Sequence, residues 1–162
     1  MESLFFNLLQ VLNELNDKLA EMLKATEKHN LALRNNDIEA IKEAVKELEN
    51  VSAGAKFLDK KREEIQYTLE QKLQLPKGAT LSETISYAPE QLSKDLHTAA
   101  QSLRETTNTI NDMVQLSKIL AKQALNFNDV LLKVMKPAQS TYNPAGKTAA
   151  NQQSASLLNK TV

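Results

Sequence analysis

The sequence predicts an all-α protein: three long antiparallel helices in an up-down-up, coiled-coil-like bundle, a short helix before the last long one, and a flexible C-terminal tail. Three observations predict it. Apolar residues recur at alternating spacings of three and four over three long stretches, which places them on one stripe of a helix. Only three glycines and four prolines punctuate 162 residues, so there is little room for many short elements. Aromatics make up 4% of residues and Trp is absent, so the core must be built mainly from Leu, Ile, Val and Ala.

The first helix is predicted over about residues 2–34. Phe5, Leu8, Leu12, Leu15, Leu19, Met22, Thr26, His29 and Leu33 form its stripe. The Arg34-Asn35-Asn36-Asp37 cluster ends it, and Asn36 or Asp37 caps the next helix, because both side chains hydrogen-bond local backbone. The second helix is predicted over about 37–74. Ile38, Ile41, Val45, Leu48 and Val51 carry its stripe, and a three-three step near Ser52-Ala53-Gly54 shifts the seam before Ala55, Leu58, Arg62, Ile65 and Leu69 resume it. Leu75-Pro76-Lys77-Gly78 breaks the helix.

Thr80-Leu81-Ser82-Glu83 fits a capping box and starts a short helix, 81–87. Pro89 suits the first turn of the last helix, 89–135. The stripe there runs Leu92, Leu96, Ala99, Leu103, Thr106, Ile110, Met113, Ser117, Leu120, Ala124, Phe127, Leu131 and Val134. Short connections between long helices imply antiparallel neighbours, so residues 1–136 read as one bundle. Residues 137–162 are rich in Ala, Ser, Thr, Asn and Gln, contain no acidic residue and show no sustained stripe, which reads as a tail.

Apolar content along the last helix is lopsided. Leu92 to Asp112 holds six apolar residues in twenty-one, and Met113 to Met135 holds fourteen in twenty-three. A stripe that wide exceeds what packing on a two-helix hairpin requires, and surplus apolar surface marks either an interaction site or self-association.

Twenty basic and twenty acidic residues cancel, so the chain lacks the basic footprint that displaces counterions from nucleic acid. Cysteine is absent, which fits a reducing cytoplasm. The Met-Glu-Ser start has no basic n-region of a signal peptide, and Leu4 to Leu12 is too short to span a bilayer. A cytoplasmic protein with no direct membrane insertion is expected. No phosphate loop or nucleophile elbow occurs, and Glu-x-x-His pairs of the di-iron kind fail at both histidines, where Thr26 precedes His29 and Lys94 precedes His97 by three. Pairs such as Glu39-Lys42 and Glu43-Lys46 mean a solvated helix face. No enzyme activity and no cofactor is expected.

Asn108-Thr-Ile-Asn111, Leu116, Leu120, Ala124-Leu125-Asn126-Phe127 and Leu131-Leu132 are similar to the last helix of FlgN-type chaperones. Thr141-Tyr142-Asn143-Pro144-Ala145-Gly146 resembles that family's Tyr-Gly-Pro-x-Gly tail element, with Asn143 where glycine is common. Asn36-Asp37-Ile38-Glu39-Ala40-Ile41 resembles its Gly-Asp-Leu-Glu-Ala-Leu start of the second helix. The resemblance covers nearly the whole chain. It implies a flagellar type III export chaperone that binds the hook-associated proteins FlgK and FlgL, keeps them unpolymerised and delivers them to the export gate protein FlhA. On that reading Leu125, Val130, Leu132 and Met135, with Leu157 and Leu158 of the tail, are the client-binding residues, and the isolated aromatic Tyr142 contacts the gate. The competing reading is a generic coiled-coil adaptor or scaffold, joined as a homodimer through its seams.

Overall fold

The chemistry of single residues sets where each helix stops. The computed structural model describes residues 1–135 and has four helices there: α1 (Glu2–Asn35), α2 (Ile38–Leu73), α3 (Leu81–Ile85) and α4 (Glu90–Met135). The chain divides into two units, Met1–Ala124 and Leu125–Val162, and the bundle lies in the first. Asn36 closes α1 in the left-handed region at φ 52°, its N–H donating to the Ala32 and Leu33 carbonyls. Asn tolerates that conformation better than most residues. Asp37 then turns extended, and its Oδ1 accepts the Ala40 N–H at 3.0 Å. Of the two candidate caps, Asn36 finishes one helix and Asp37 begins the next.

The seam of α2 corrects the sequence reading. Ile38 is 59% exposed and Val45 38%, whereas Ala44 is buried. With Ala44 in place of Val45 the stripe reads 41, 44, 48, 51, 55, 58, 62, 65, 69, and the three-three step disappears. The alternation of threes and fours then holds throughout, so the seam stays on one side of the helix. Ala32 of α1 and Ala44 are both buried and line the same groove between α1 and α2. The helix also runs unbroken through Gly54, where an added Cβ would only touch the Lys18 methylenes at 3.5 Å. Val45→Glu should therefore change unfolding free energy by no more than about 0.5 kcal/mol in urea titration. A loss of several kcal/mol would reinstate the pattern expected from the sequence.

Beyond α2 the chain is held by a polar ladder on the helix itself. Arg62 donates to Asp59 Oδ1 at 2.7 Å and to Gln66 Oε1 at 2.6 Å. The buried Gln66 passes its own N–H to the Ala79 carbonyl at 2.7 Å, and Glu70 accepts the Gly78 N–H. Gly78 sits at φ 84°, a conformation that favours glycine. The turn after Pro76 is thus tied back to α2 by groups that would be costly to bury unpaired.

Thr80 caps α3 with the full reciprocal box. Its Oγ1 accepts the Glu83 N–H, and Glu83 accepts the Thr80 N–H at 2.6 Å. The hydrogen bond from the Thr80 backbone, with a second from its hydroxyl, lowers the Glu83 pKa. A depressed carboxyl pKa stabilises the fold above the ordinary carboxylate range, and that contribution is lost as pH falls through the lowered value. A carboxyl-carbon NMR titration should place the Glu83 midpoint below those of uncapped glutamates, and Thr80→Val should move it part of the way back.

The core is concentrated where α3 sits. Phe5, Leu8 and Leu12 of α1, Leu69 of α2, Ile85 of α3, and Leu96 and Ala99 of α4 form one buried cluster. Leu15, Ala55 and Leu58 form a second, flanked by Leu19, Met22 and Leu103. Direction follows from cross-contacts. Lys28 pairs with Glu47 at 2.9 Å and Lys18 lies by Gly54, so numbers rise on α1 as they fall on α2. Asn16 donates to the Ala99 carbonyl and Asn30 to the Met113 carbonyl, both across 83 residues, so α4 runs parallel to α1. The up-down-up order expected from the sequence is the observed one.

Candidate interaction surface

Burial along α4 declines from one end to the other. Leu96, Ala99 and Ile110 are buried, and Leu103, Met113, Ser117, Leu120 and Ala124 are half-buried. The polar clasp near its middle is built from α1: Asn30, 3% exposed, donates to the Met113 carbonyl at 3.2 Å and accepts the Ser117 hydroxyl at 2.5 Å. The constant 83-residue offset places Asn35, the last residue of α1, level with Lys118.

The last eleven residues of α4 belong to the second unit. All four helical residues picked out by the sequence are exposed there: Leu125 at 67%, Val130 at 56%, Leu132 at 60% and Met135 at 75%. Phe127, Leu131 and Val134 correct the sequence reading. They continue the bundle stripe in number, yet are themselves 55%, 40% and 76% exposed. Sequence periodicity reports that a stripe exists but not what covers it. The surface therefore holds seven large apolar side chains in eleven residues, far denser than the scattered exposed apolar residues of an ordinary surface. Asp129 and Lys133 are the charged side chains among them. Tyr142, Leu157 and Leu158 lie outside the described residues.

Nothing reactive converges on this surface. Among the described residues no group of three or more His, Asp or Glu is placed to hold a metal ion, and no helix is long and apolar enough to cross a membrane. His29 is half-buried in α1 and His97 is exposed on α4. What the segment offers is apolar area on a helix, the property that binds another helix.

The model of the family described as FlgN protein matches residues 1–150. The chain belongs to the FlgN family. This is a family of flagellar export chaperones, as the resemblance implied. No match was found among curated proteins or among solved structures.

Proposed function

We propose that this FlgN-family protein is a cytoplasmic chaperone that holds FlgK and FlgL, the hook-associated proteins, unpolymerised and hands them to the export gate protein FlhA. The observation that carries the reading is the exposed run from Leu125 to Met135. A protein that exposes such a run gains by covering it with an amphipathic helix, and a subunit awaiting assembly has helices of that kind to be covered. Client binding uses Leu125, Val130, Leu132 and Met135, joined by Leu157 and Leu158. The last two follow the helix closely enough in the chain to reach the same client.

Calorimetric titration of the full chain with monomeric FlgK, beside a version ending at Lys136, tests the assignment. One-to-one binding weakened by truncation supports it. Binding unaffected by truncation removes Leu157 and Leu158 from the client site. Absence of binding at high micromolar concentration sinks the chaperone reading in favour of a scaffold.

Tyr142 is assigned to the gate. It is an aromatic residue in a polar stretch, and aromatic side chains supply much contact area for little entropy. Tyr142→Ala should leave helicity and FlgK affinity unchanged while reducing FlgK secretion several-fold; full secretion would remove the gate role.

A further inference from the structure

We infer that the end of α4 takes two helices from one client, one on each of two adjacent seams, rather than a single helix in one groove. This inference rests on the chaperone reading and specifies its site. At 100° per residue, the seven exposed apolar residues of Leu125–Met135 span about 220° of the helix circumference. A helix covered from one side needs an apolar stripe of only about 100°.

The arc resolves into two seams. Phe127, Leu131 and Val134 continue the stripe that begins at Leu92, with Val130 on its outer edge. Leu125, Leu132 and Met135 form the other, with the half-buried Asn128 completing a 125-128-132-135 spacing of threes and fours. Each is a coiled-coil seam in miniature, and a polar residue within such a seam is a device that specifies register. The centres of the two seams lie about 130° apart, too far for one docked helix to cover both.

Area gives the same answer. From their fractional exposures the seven side chains present on the order of 800 Å², about one partner's share of a standard stable interface. A single helix laid in one groove would cover about half of that and leave the other seam in water. Two helices from the same chain cover both, one on each flank of α4. Joined in one polypeptide, the second docks at high effective concentration once the first is bound.

The test uses the full chain and monomeric FlgK, with one charge introduced on each seam: Leu132→Asp and Val134→Asp. Both positions are exposed, so helicity by circular dichroism should be unchanged. Each substitution should weaken binding by roughly tenfold or more, with one-to-one stoichiometry retained for the parent protein. Binding by the parent with one of the two substitutions silent overturns the two-helix inference and leaves the chaperone reading standing. Failure of the parent to bind removes the chaperone reading itself. If sedimentation of the free chain shows a dimer that either substitution dissociates, a second copy occupies that seam and the inference falls. It falls also if ending the chain at Lys136 abolishes the sensitivity to either substitution, because the chain's own tail is then the second neighbour.

Discussion

Phe5→Ala should destabilise the bundle by about 3–5 kcal/mol, the largest effect expected of any single truncation in it. Phe5 is 1% exposed and packs with Leu8, Leu12, Leu69, Ile85, Leu96 and Ala99, so one ring touches the cluster to which all four helices contribute. Its removal leaves a void that can collapse only by moving α3 or α4 inward, and α3 is already held by its capping box and by the loop tied to Gln66. A domain of this size has a total stability of about 5–15 kcal/mol, so the variant should lose roughly a fifth or more of it and melt well below the parent. Urea unfolding followed by circular dichroism measures this. A loss under about 1 kcal/mol would mean that the cluster at the α3 end is not where the fold is secured.

Replacing Leu125 and Leu132 together by Asp should do the opposite. Stability should hold within about 1 kcal/mol, because both side chains are more than half exposed, while client affinity should fall by roughly a hundredfold or more. The two residues lie seven apart and so stack on one face of α4. Placing two carboxylates there obliges a docking helix to desolvate both without a partner cation. The paired measurement matters: unchanged melting with lost binding marks a recognition surface, whereas lost melting with lost binding would place these residues in the fold.

The order and type of helices were legible because they depend on neighbours in sequence. Stripe spacing, the Asp37 cap, the Thr80–Glu83 box and the break at Pro76 are all local, and each appears where the residues require it. The seam of α2 was not fully legible. Valine at 45 is more hydrophobic than alanine at 44, so the spacing favours it, yet it is Ala44 that faces α1 and is buried. The interaction surface was legible in part. Leu125, Val130 and Leu132 stood out as surplus to one stripe, but Phe127, Leu131 and Val134 were indistinguishable from core, because exposure depends on which partner lies opposite.

By itself, then, the sequence determined an all-helical chain, its helix boundaries to within a residue or two, and membership in the FlgN family, since periodicity, capping and motif order act along the chain. Only the tertiary structure decided the register. The 83-residue offset set by Asn16 and Asn30 brings the last residue of α1 level with Lys118, and no run of threes and fours encodes such an offset between helices. Which apolar residues become core and which stay in water follows from what packs against each of them, a property of the fold rather than of any stretch of its sequence.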